Sequence, residues 1–258
     1  MPRRSKFCEA LLVSAALLAV AQPAHAATLD STVKSVGQSL QRAWQSDPLA
    51  RQIPFPPLVL LPAEAPLSQA CASSTPAERE RGSFYCPAQG TVLLVRRQLK
   101  RAMAVQQATG VTYRLAMGLG QAIQAQRSAQ VDLAPQARNL QATCLGGWLL
   151  ARGPATSSEQ RHALLEADRD AYTSGAALNH GSAEQRAYAL LTGMGATSST
   201  CKGASMAALA SGMVPDPELL RSIKAERTSN LKTAINSQCR RPPACPRRLQ
   251  DIDGFSLP

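Results

Sequence analysis

Seven cysteines punctuate this chain, and six of them, Cys71, Cys86, Cys144, Cys201, Cys239 and Cys245, lie beyond residue 26. The seventh, Cys8, falls in a segment with the marks of an export leader. Arg3, Arg4 and Lys6 precede an apolar run from Ala10 to Ala21, and Ala24-His25-Ala26 supplies the small residues a signal peptidase accepts. The run is shorter than the ~20 residues a bilayer-spanning helix requires. Residues 1–26 are therefore expected to be a cleaved signal, with the mature chain periplasmic or extracellular. An uncleaved leader would instead leave it anchored to the membrane. An even cysteine count in an exported protein reads as three disulfides, which staple a fold more tightly than its core alone would. Proximity favours Cys71–Cys86 and Cys239–Cys245, leaving Cys144–Cys201. No pair has the two-to-four-residue spacing of a zinc knuckle.

Periodicity organises what lies between the cysteines. Leu29, Val33, Val36 and Leu40, with Trp44 near the same stripe, predict an amphipathic helix over 29–46. Prolines 48, 54, 56 and 57 end it, and Leu58 to Leu61 is a short buried-strand candidate. A polar loop follows from Ser68 to Gly82. Phe84-Tyr85-Cys86 and Thr91 to Val95 read as strands joined by Pro87-Ala88-Gln89-Gly90. Beyond residue 98 the chain reads as helices at 98–109, 111–127 and 137–151, then from a Ser157/Gln160 capping box to about 177. A second capping box, Ser182 with Gln185, opens one at 183–194. Residues 196–217 read mainly as loop, with Ala204 to Ala210 able to form a helical turn, and 217–236 reads as a last helix. The implied class is α+β: one mainly helical domain over 27–236 with a small early sheet, then a basic, proline-rich tail over 237–258.

The formal net charge is +11, but the basic residues are scattered and aromatics make up only 4% of the chain. Nothing resembles a basic groove interleaved with rings, so nucleic acid is not an expected partner. The tail is the exception to the scatter. Arg240, Arg241, Arg247 and Arg248 flank the Cys239–Cys245 pair and could present a weak anion-binding surface to lipid, polysaccharide or an acidic partner.

Four strings, in order, resemble segments of the bacterial predicted neutral zinc metallopeptidases. Phe84-Tyr85-Cys86-Pro87 followed by Thr91-Val92-Leu93-Leu94 is similar to that family's FYCP…TVYLD segment. Tyr113 to Gln124 is similar to its zinc helix, and Leu140-Gln141-Ala142-Thr143-Cys144 through Trp148 to its LQADC…W segment. His180-Gly181-Ser182-Ala183-Glu184-Gln185-Arg186, with Gly193 and Cys201, is similar to its HG…QR…G…C block. The resemblance implies a zincin-like domain, a zinc cofactor and peptide cleavage.

The residues that would carry that chemistry are replaced. Carried over position by position, the two zinc histidines fall on Met117 and Gln121, the glutamate base on Gly118, the third, carboxylate ligand on Asn139 and the neighbouring aspartate on Thr143. A thioether suits copper(I) better than zinc, neutral amides are poor zinc ligands, and glycine cannot take a proton. Zinc is therefore not expected here, nor the lowered water pKa that it supplies. Past the leader only His162 and His180 remain, too few to rebuild the site, although His162 near Glu159 and Glu166 could weakly hold a metal. No Gly-x-Ser-x-Gly elbow is present. The expectation is an exported, catalytically inactive metallopeptidase-like protein that binds a peptide or an envelope protein. Its cleft would be edged by the strand of Thr91, Val92, Leu93 and Leu94, over a floor that includes Met117 and Gln121. Three alternatives stand beside it: collapse of the cleft into ordinary packing with Met117 as a gap filler, a hydrolase with a relocated site, and a purely structural secreted module.

Overall fold

The computed structural model describes residues 28–48, 50–63, 70–72, 82–127, 132–152, 158–172 and 179–226. The leader, the tail with Cys239, Cys245 and its four arginines, and the Ser157 cap all lie outside these. The architecture is mixed α+β and mostly helical. α1 (Leu29–Ser46) is followed by a single 3-10 turn, then by β1 (Leu58–Leu61), β2 (Ser83–Cys86) and β3 (Thr91–Val95). The helices α2 (Arg96–Arg127), α3 (Pro135–Arg152), α4 (Ser158–Ala171), α5 (Ala183–Gly193) and α6 (Gly203–Ala210) come next. A last helix, α7, is described over 217–226.

α1 forms where periodicity places it. Its N-cap Thr28 accepts from the Ser31 amide, and its inner face buries Leu29, Val33, Leu40 and Trp44. The Trp44 indole donates to the Ile53 carbonyl at 2.9 Å and meets Phe55 edge-on, which pins the proline-rich return to the helix. The strand order is β1-β3-β2, with β1 parallel and β2 antiparallel to β3. All five β3 residues are buried, as expected of a central strand covered on both faces. Phe84, Leu93, Val95 and the Cys71–Cys86 disulfide cover one face. Val92 and Leu94 face the main core of α1, α2, α3 and α4.

Two of the three expected disulfides, Cys71–Cys86 and Cys144–Cys201, are formed. Other expectations are corrected. The two helices expected over 98–109 and 111–127 form, but the break between them falls at Gln107, which adopts φ 53°, ψ −141°. Gly110, which lies at the expected boundary, sits inside the second segment. A β-carbon there would lie 2.8 Å from the Ala102 carbonyl, so the glycine is needed where the two segments press together. The stretch read mainly as loop carries the full helix α6, whose Met206 and Leu209 pack against Leu140 and Tyr188. The Ser182/Gln185 capping box is present with both of its bonds.

Candidate functional site

The second segment of α2 carries three of the four positions that the resemblance assigns to metal chemistry, and it runs against β2 and β3. Each position is occupied by a packing or hydrogen-bonding contact. Met117 is 6% exposed and its thioether tip lies over Gly146 of α3. Gly118 lies against the sheet, where an added β-carbon would come within 2.7 Å of Val92 Cγ1. One turn on, the Gln121 side-chain oxygen accepts from the Tyr85 backbone N–H at 2.9 Å. Asn139 on α3 donates its side-chain amide to the Asn179 carbonyl at 2.6 Å. Thr143 donates to the Asn139 carbonyl of its own helix.

These contacts close the space between helix and sheet. β2 is an edge strand, and Tyr85 N–H points away from β3, where an added strand would have to bond. Gln121 occupies that donor. One residue pair further along the same edge, the Ser83 hydroxyl donates to the Arg114 carbonyl. The expectation of a peptide pairing with Thr91, Val92, Leu93 and Leu94 is corrected, because β3 is bonded on both sides and has no open edge. Met117 and Gln121 belong to the joint: the first packs on Gly146 and the second bonds the Tyr85 amide. An open groove runs instead beside β1, lined by Lys34, Gly37, Gln38, Phe55, Pro57 and Leu60.

The donor set does not fit zinc. Met117 offers a buried sulfur, the oxygen of Gln121 is committed to a backbone donor, and Gly118 offers nothing. Among the described residues no three His, Cys, Asp or Glu side chains are grouped so as to hold a metal ion. Glu166 pairs with Arg169 rather than with His162, which is exposed.

Sequence reasoning missed a polar cluster deeper in the molecule. Asp168 of α4 is fully buried; its Oδ1 accepts from the Tyr113 hydroxyl at 2.8 Å and lies 3.5 Å from Arg186 Nε. Arg186, 3% exposed, also donates to the Gly181 carbonyl and stacks 3.8 Å over the Tyr172 ring. His180 is buried beside that same ring. Burial, and then the negative charge of Asp168, push the Tyr113 hydroxyl well above the usual tyrosine range, so it stays a donor. A carboxylate on the apolar stripe of Leu164, Ala167 and Ala171 was the available signal. The cluster ties α4 to α2 and α5.

No family model matches the chain, and no characterised protein and no solved structure matches it either. Among the described residues no helix is long and apolar enough to cross a membrane. The two disulfides are compatible with an exported protein.

Proposed function

We propose that this chain is an exported, zincin-like relative of the neutral zinc metallopeptidases whose catalytic turn has become a joint between helix and sheet. On this reading it acts by binding or assembly in the cell envelope and not by hydrolysis. One observation carries the proposal: the residue at the second zinc-histidine position bonds the edge-strand amide of Tyr85. That bond, at 2.9 Å, fastens the former catalytic turn to the sheet, and Gly118 beside it leaves no room for a glutamate beneath Val92.

The order of the four resembling strings supports the same descent. Tyr113 to Gln124, Cys144 to Trp148 and His180 to Gly193 lie on α2, α3 and the start and body of α5, which pack in succession. A scaffold can keep its packing residues after the chemistry is gone, because packing and catalysis use different side chains of the same helices.

Metal content and peptide cleavage test the proposal together. Purified protein is expected to hold no stoichiometric zinc after dialysis against a zinc-containing buffer. It is also expected to cut unfolded protein substrates no faster than the same preparation treated with chelator. One tightly held zinc per molecule with chelator-sensitive cleavage would overturn the proposal and favour a relocated active site.

A further inference from the structure

The surface of α2 before its break is strongly one-sided in charge. No Asp or Glu occurs between Glu80 and Asp132, so the whole 32-residue helix carries no acid. Its first turn holds two arginines where the helix dipole favours carboxylates. Arg96 is held by Asp30 of α1 through two hydrogen bonds, and Lys100 adds its charge to that pair. Arg97, Lys100 and Arg101 are exposed, and no ion pair engages Arg97 or Arg101 among the described residues.

Spacing places these cations with an apolar tip. Arg97, Arg101 and Val105 follow at intervals of four, and Lys100 and Ala104 fall between them, so all five share one exposed face. Val105 is 65% exposed, a large value for a β-branched aliphatic side chain. The break at Gln107 ends this segment in a positive-φ backbone conformation that residues other than glycine rarely adopt. Around the break Ala104, Val105 and Ala108 are all exposed, so the apolar side chains there face solvent. Gln106 is fastened to Asp170 of α4 at 2.6 Å, which fixes the tip to the body of the protein.

We propose that this face docks the protein on an anionic lipid surface. Arg97, Lys100 and Arg101 would meet headgroup phosphates while Val105 enters the boundary between headgroups and acyl chains. Cations alone would suit any polyanion; the exposed valine at the tip adds a contact that only an interface with an apolar interior rewards. The site is separate from the closed joint and does not depend on descent from a peptidase.

Vesicle sedimentation of the purified full chain, processed as its host processes it, tests this. The protein is expected to bind vesicles containing phosphatidylglycerol far better than neutral phosphatidylcholine vesicles, with binding falling as salt rises. Substituting Arg97, Lys100 and Arg101 together by serine should lower partitioning on the order of 100-fold, and V105S about fivefold. All four positions are exposed, and unchanged thermal unfolding would show that the variants fold. Binding should persist when Arg240, Arg241, Arg247 and Arg248 of the tail are replaced by serine. The proposal is overturned if the tail variant alone abolishes binding or the triple variant binds as wild type. It is equally overturned if a soluble polyanion binds as tightly as the vesicles with no effect of V105S, which would assign the face to polysaccharide.

Discussion

Replacing Gly120 with alanine is expected to destabilise the protein by about 2 kcal/mol, although alanine is the better helix former. The propensity gain is about 1 kcal/mol for exchanging a helical glycine. Against it stands the crossing of α2 and α3, where a β-carbon at position 120 would lie 2.2 Å from the Ala142 carbonyl and 2.7 Å from the Gly146 amide. Both neighbours are backbone atoms and cannot rotate aside, so the helices must separate. Separation loosens Leu119, Ala122 and Leu149 together, and overpacking of this kind costs ~1–3 kcal/mol or more. Gly193→Ala probes the next crossing, that of α3 with α5, where the β-carbon would sit 1.9 Å from the Cys144 carbonyl. Urea unfolding midpoints read the effect. A midpoint that rose in either variant would mean that the helices do not approach as closely as described.

Asp168→Ala is expected to cost more, about 3–5 kcal/mol, because it leaves the buried Arg186 guanidinium without its carboxylate. The loss belongs to the unpaired charge more than to the pair itself. Substituting both partners, Asp168→Leu with Arg186→Met, should therefore recover most of it, since apolar replacements of a buried ion pair are often neutral. Tyr113→Phe removes one hydrogen bond to the same carboxylate and should cost only about 1 kcal/mol. Unfolding free energies of the singles and the double, arranged as a cycle, decide the matter. If Asp168→Ala cost under about 1 kcal/mol, or the double variant were no better than the single, the cluster would not be the clamp described.

Much of the fold was legible because its cues are local. The stripe of α1, the capping box of α5 and the apolar run of β3 each depend on a few neighbouring residues, and each forms where it was read. Strand order was not legible. A run such as Thr91 to Val95 says that both faces are covered, but not which strands flank it, so sequence alone does not separate a central strand from a cleft edge. The break at Gln107 was hidden for a related reason. The sequence suggests a boundary at residue 110, and only the folded packing shows that the missing side chain of Gly110 serves the contact with Ala102.

The candidate site was legible in its chemistry and not in its geometry. That Met117, Gly118 and Gln121 cannot serve zinc follows from residue type alone. That Gln121 reaches the Tyr85 amide depends on a contact 36 residues away, which no spacing rule supplies. The glycines of the resembling strings show the same limit. Gly120, Gly146, Gly147 and Gly193 could be read as parts of a motif, yet each marks a place where one helix backbone rests on another.

The joint itself is open to one direct measurement: hydrogen exchange at the Tyr85 amide, in the wild type and in Gln121→Ala. An edge-strand amide facing an open cleft exchanges freely, whereas one bonded to a packed side chain is protected. Protection in the wild type, reduced about tenfold or more in Gln121→Ala, is the expected result. A Tyr85 amide that exchanges as fast in the wild type as in the variant would mean that the cleft is open, and would contradict the account.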